Sequence, residues 1–177
     1  MTDQTIQSTP VQAPPAGRYV VDPSRTSVAF RTRHMFGLAP VKGRFRVDAA
    51  TVTVAEPIED SSIEASLHSA SFSTRNPLRD VQVRSRLFLH AKRHPTISFR
   101  SQRVEWKNGA WHVAGELTVK GRTAPVDLKV DEVTTNGPSL TFHATAVVDR
   151  YAQGVTTMKG MAARTLSFEI TGEGTQL

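Results

Sequence analysis

Seven Lys/Arg residues lie between positions 75 and 100 (Arg75, Arg79, Arg84, Arg86, Lys92, Arg93, Arg100) against one acid, Asp80, so this stretch alone matches the chain's net charge of +6. Arginine in such numbers suits an anion, because its planar fork donates two hydrogen bonds to a phosphate or carboxylate at once. Asn76-Pro77 opens the stretch with a helix start: Asn caps free amides and Pro at the first helical position loses no hydrogen bond. A short helix over about Pro77 to Leu87 is expected, its free amides adding to the pull on an anion. The cluster serves as a solvated face, a ligand contact or a membrane-surface contact, and sequence leaves the three open. His90 and His94 stand four apart, a metal-ligand spacing on a helix. Neither a third histidine nor a carboxylate completes a set nearby and Pro95 ends any helix there, so no metal is expected.

The elements that must position this stretch read as strands, so the fold class is all-β. Apolar residues alternate at period two along Val28 and Phe30; Val41, Gly43, Phe45 and Val47; and Ile63, Ala65 and Leu67. Ile97 and Phe99 differ in parity from Val104 and Trp106, which predicts a bulge between the pairs. Asn108-Gly109 marks a tight hairpin flanked by Trp106 and Trp111, read as cross-strand partners or as an exposed tip suited to a membrane interface. The return strand carries Trp111, Val113, Gly115, Leu117 and Val119. Val126, Leu128 and Val130 follow, then a turn at Asn136-Gly137-Pro138, then Leu140, Phe142, Ala144, Ala146 and Val148, and last Leu166, Phe168 and Ile170. Long strands joined by short hairpins close on themselves to remove their edges, which predicts an antiparallel barrel of about eight strands with the one helix near an opening. The small inward residues Gly43, Ala65, Gly115, Ala144 and Ala146 argue for a cavity.

The 177 residues make one domain. Residues 1–16 are polar and Pro-rich, without the basic start and apolar run of a secretory signal, and read as a disordered arm; residues 17–177 form the barrel domain, expected in the cytoplasm. Cysteine is absent, which removes disulfides and thiol nucleophiles. No stretch is long and apolar enough to span a bilayer as a helix, which leaves at most peripheral membrane contact. Asp149-Arg150 reads as a structural pair or turn anchor. The G-x-S-x-G, P-loop and Rossmann patterns are missing and the carboxylates form no recognisable acid/base pair, so no enzyme activity and no cofactor are expected.

Four segments in order resemble the YceI-like family of polyisoprenoid-binding proteins, with a lipocalin-like barrel, and carry a likeness that covers nearly everything from Tyr19 to Ile170. They are the run from Tyr19 with His34, Gly37, Gly43 and Phe45; the run with Asn76, Arg79, Asp80, Arg84, Ser85, Phe88, Pro95, Thr96, Phe99 and Ser101; the run from Gly115 to Val130; and the run from Phe142 with Asp149, Arg150 and Gly154. The chain departs from the pattern at Gln82-Val83, where the family has His-Leu, and at Leu89-His90, where an acid is common. The resemblance implies non-enzymatic binding, carriage or storage of an isoprenoid lipid, either a polyprenyl phosphate or pyrophosphate or a quinone tail, and a homodimer.

On that reading Phe30, Phe45, Leu67, Phe99, Leu117, Phe142, Ala144, Ala146 and Phe168 line the lipid channel, with Arg79 and Arg84 at its polar end. His34 either joins that end or fixes the turn at Phe36-Gly37. Two rivals compete: a basic nucleic-acid-binding barrel and a lipid-modifying enzyme using the same cavity. Nucleic acid is not expected, because single-strand recognition needs exposed aromatics interleaved with cations and these aromatics fall on the inward period.

Overall fold

The computed structural model describes residues 11–177. Part of the expected arm, residues 1–10, lies outside them. Ten strands and one α-helix follow in order: β1 Gly17–Val21, β2 Ser27–His34, β3 Ala39–Phe45, β4 Val47–Val54, β5 Ser62–His68, α1 Pro77–Arg84, β6 Thr96–Lys107, β7 Ala110–Val119, β8 Arg122–Asn136, β9 Ser139–Asp149 and β10 Thr165–Gln176. All pairings are antiparallel, and β1-β4-β5-β6-β7-β8-β9-β10 closes through a β1/β10 contact, with β2 and β3 as two extra strands. A one-turn 3-10 helix at Pro23–Arg25 separates β1 from β2. Beyond it β2 takes over the edge of β10, pairing Phe30 with Phe168 where β1 paired Tyr19 with Gln176. β2 and β3 therefore extend the wall upward at the end that carries α1.

Local chemistry sets the turns. Asn108 and Gly109 both have positive φ (51° and 78°), the conformation that a two-residue hairpin in a right-twisted ribbon requires. Trp106 and Trp111 pair across it with ring centroids 5.0 Å apart, Trp106 half exposed. The expected bulge falls between Ser101 and Arg103. Further bulges, between Val47 and Ala49 and between Val130 and Glu132, bend β4 and β8 around the barrel.

Two expectations need correction. The run Val41 to Val47 is broken at Arg46, and Val47 begins β4, a strand that the sequence reading did not separate. The helix stops at Arg84 and not near Leu87. Ser85 caps it, the amides of Leu89, His90 and Ala91 fold back onto the carbonyls of Val83, Ser85 and Arg84, and Phe88, Leu89 and Ala91 drop into the core. Burying those side chains outweighs one more helical turn.

The segment from Ser69 to Pro95 fills the side of the wall next to β3. Arg44 and Ser73 exchange backbone hydrogen bonds at 2.9 and 3.0 Å, and Phe72 enters the barrel beside them. Phe30, Phe45, Phe72 and Phe168 make an aromatic cluster with centroids 5.3 to 6.3 Å apart. Pro14, in the stretch that reads as arm, lines the far end of the interior, and Tyr19 Oη donates to Pro15 O at 2.8 Å.

Candidate functional site: an apolar channel with a cationic mouth

Strand parity delivers alternate side chains from every strand to one interior, which encloses a cavity of about 680 Å³. That volume lies within the range of about 300–1,000 Å³ typical of small-molecule sites. Phe30, Phe45, Leu67, Phe99, Leu117, Phe142, Ala144, Ala146 and Phe168 all line it. So do side chains that period alone did not nominate: Phe72 and Phe88, which enter from irregular segments, and Val54, Ile58 and Val133 near the opposite end. The channel runs the length of the barrel, from Leu78 and Met161 at one end to Pro14 and Ser61 at the other.

Polar groups gather at the α1 end. Asn76 caps α1 through its side-chain oxygen, which accepts from the Arg79 amide at 3.1 Å. Arg79 lines the channel mouth and gives one N–H to Thr74 Oγ1 at 3.3 Å, with its other donors free of protein partners among the described residues. Asp80, buried under the helix, accepts from the amide and hydroxyl of Thr74 at 2.9 and 2.6 Å. It is fixed as part of the scaffold.

The predicted polar-end residues divide. His34 and Arg79 stand on the lining, and Gln82 joins them from the next turn of α1. Arg84 does not: its Nε donates to Phe72 O at 3.0 Å, which ties the helix to the segment that carries the Phe72 ring. The hydrogen bond to the turn at Phe36-Gly37 comes from Arg33, which donates to Gly37 O at 3.2 Å, so turn fixing falls to Arg33 and not to His34.

Asp149 and Arg150 anchor the loop 150–164 over the same mouth, each with its own partners. Arg150 is buried and donates to the carbonyls of Ala163, Val155, Thr157 and Ala162 at 2.7 to 2.9 Å. Burial pushes its guanidinium below the usual arginine range, while the carbonyl ring keeps its donors satisfied. Asp149 pairs with Arg164 at 2.8 Å and accepts from the Tyr151 amide at 2.9 Å; the Arg164 hydrogen bond, aided by that amide, holds its carboxyl below the usual range. His90 and His94 meet edge to face at 5.8 Å. Loss of solvent first, then the positive neighbours His94, Arg93, Lys120 and Arg86, lower His90 from its ordinary value.

A closed antiparallel barrel with a chain-length apolar interior, entered past a capped helix bearing Asn76 and Arg79, is the frame to which residues 19–173 match as a YceI-like domain. The chain belongs to the YceI-like family. Among curated relatives, a UPF0312 protein of Vibrio cholerae is 31% identical over 120 residues, which make up 66% of this chain and 63% of that protein. One from Pseudomonas aeruginosa is 31% identical over 104 residues, 58% of this chain and 53% of the relative. The matched stretch thus spans less than two thirds of these relatives. The YceI-like fold recurs in Burkholderia cenocepacia BcnA, with a TM-score of 0.77 at 24% identity, covering 86% of this chain and 98% of that one. It recurs again in a polyisoprenoid binding domain from Saccharophagus degradans implicated in plant cell wall breakdown, with a TM-score of 0.67 at 9% identity, covering 90% and 98%.

Proposed function

We propose that this YceI-like chain binds and carries an isoprenoid lipid, without catalysis, by threading the hydrocarbon along the barrel axis and leaving the polar end at α1. The observation that carries the reading is the distribution of polarity: an interior of Phe, Leu, Val and Ala runs the length of the barrel, and the remaining donors of Arg79, with the side chains of His34 and Gln82, stand at one mouth. Removing the ligand's apolar surface from water supplies roughly 25 cal/mol per Å², enough over a prenyl chain to need no special chemistry along the walls. A phosphate or pyrophosphate at the mouth meets the unpaired donors of Arg79, and a quinone carbonyl there accepts one hydrogen bond. The Saccharophagus degradans domain of the same fold, which binds polyisoprenoid, supports the same class of ligand. Native mass spectrometry of the purified protein, followed by organic extraction of whatever co-purifies, is the direct test. An extracted prenyl lipid, or saturable binding of farnesyl pyrophosphate or farnesol to the empty protein, is expected. Neither, in a folded sample, ends the proposal.

A further inference from the structure

The two ends of the barrel differ in charge and in exposed apolar surface. At the α1 end the connections 35–38, 69–95, 120–121 and 150–164 hold ten Lys/Arg against one acid, the buried Asp80. At the other end the connections 55–61, 108–109 and 137–138 hold three acids (Glu56, Glu59 and Asp60) and no Lys/Arg. Among the α1-end cations, Arg84, Arg150 and Arg164 are committed to carbonyls or to Asp149. Arg75, Arg79, Arg86, Lys92, Arg93 and Lys159 form no salt bridge among the described residues.

Large apolar side chains stand in solvent at that same end. Phe36 is 74% exposed, Leu38 82% and Leu78 86%, with Met35, Val81, Leu87, Met158 and Met161 also out of the core. They belong to one surface. The Phe36 ring lies against Gly160, 3.7 Å from where a Cβ there would sit; the Gln82 amide reaches Met158 Sδ at 3.7 Å; and Ala163 donates to Arg33 O at 2.9 Å. The β2/β3 hairpin tip, α1 and the loop 150–164 thus ring the channel mouth with apolar side chains, flanked by unpaired cations. A protein pays no such exposure for solubility, and an apolar patch rimmed by charge marks an interaction surface.

We propose that this end docks on the surface of a bilayer containing anionic phospholipid: Phe36, Leu38, Leu78 and Met161 enter the interfacial region, the cations meet lipid phosphates, and the channel mouth faces the acyl layer. Charge complementarity selects this occupant, since a headgroup layer supplies apolar depth and negative charge together. The opposite end, with Trp106 at its hairpin, faces away, because Glu56, Glu59 and Asp60 are repelled by the same surface. This goes beyond the isoprenoid reading and stands on the surface alone.

The test is flotation of the full chain with vesicles of phosphatidylcholine alone and of phosphatidylcholine with an equal amount of phosphatidylglycerol, at low and high salt. Binding to the mixed vesicles that weakens with salt is expected. It should fall by about tenfold or more in Phe36→Ser with Leu78→Ser, and again in Arg75→Glu with Arg86→Glu, while Lys107→Glu with Val147→Ser binds like the parent. Far-ultraviolet circular dichroism and the urea midpoint of each variant separate lost docking from lost fold. No binding to mixed vesicles, equal losses in the control pair, or a parent dimer that Phe36→Ser dissociates without any vesicle binding would overturn the proposal. Vesicle docking by a protein that holds no prenyl lipid would sink the isoprenoid reading and leave this one standing.

Discussion

The ring of Phe30 occupies the space that a side chain at Gly43 would need: the two are paired across β2 and β3, and a Cβ on Gly43 would lie 2.3 Å from the end of that ring. Gly115, which pairs with Ser101, makes the same room for the Phe99 ring two residues along β6, 2.5 Å from where its Cβ would sit. These glycines make room for aromatic rings, and the channel is what remains beyond them. Gly43→Ala is expected to destabilise the fold by about 1–3 kcal/mol, the usual cost of overpacking, since Ser73 O at 2.7 Å bars retreat on the other side. Urea denaturation measures it, and adding Phe30→Leu should return part of the loss. A Gly43→Ala midpoint equal to the parent's would show that the ring relaxes freely.

Ala144 is buried, lines the channel and pairs with Ile170 on β10 and Val130 on β8. Ala144→Trp should fill the channel and weaken farnesol binding by about tenfold or more, since an indole displaces the volume that the ligand needs. Circular dichroism should stay that of the parent. A folded variant with undiminished binding would place the lipid elsewhere.

Arg79 and Arg84 sit in one helix with different partners, so their substitutions should separate. Arg79→Ala is expected to erase most of the preference for farnesyl pyrophosphate over farnesol with little change in stability. Arg84→Ala, which releases Phe72 O and the segment around it, should lower the urea midpoint and weaken both ligands alike. Titration of the two ligands against the two variants checks this, and a selective effect from Arg84 would reverse the assignment.

On the outer wall His143 bridges three strands, with Nδ1 2.5 Å from Asp131 and Nε2 3.1 Å from Glu169. The hydrogen bond to Asp131, then that to Glu169, raise its pKa above the ordinary value. A raised value means that the folded state holds the proton more tightly. The contribution is therefore complete below about pH 6.5, the unfolded value, and is lost as pH climbs through the folded one. His143→Gln should cost more stability at about pH 5.5 than at about pH 8.5, above histidine's usual titration range of about 5 to 8. Equal costs at both would remove the charge from the account.

Arg150 gathers four carbonyls of the loop 150–164 on one planar group. Arg150→Met should cost about 2 kcal/mol or more by leaving acceptors unpaired, and should expose the loop to protease. Arg150→Lys should recover little, because a single ammonium lacks the fork. Limited proteolysis with a urea series decides between these outcomes, and a full rescue by Lys would mean that charge alone suffices.

Much of this was legible in the chain because period-two alternation and turn chemistry are local. Phe30, Phe99 and Phe142 face inward because parity leaves no other choice, Asn108-Gly109 turns because its backbone tolerates positive φ, and Asn76-Pro77 starts the helix because it caps one. Tertiary structure decided what depends on residues far apart in sequence. Phe72 and Phe88 enter the barrel from segments without periodicity, the helix ends early because Phe88 and Leu89 are drawn into the core, and Arg84 turns to Phe72 O while Arg79, five residues before it, keeps its donors at the mouth. The sequence by itself marked residues 75 to 100 as cationic. Only closure of the barrel put that charge at one end, beside Phe36, Leu38 and Met161 from the β2/β3 tip and the loop 150–164, because which loops share an end is a property of the strand order and not of any one stretch.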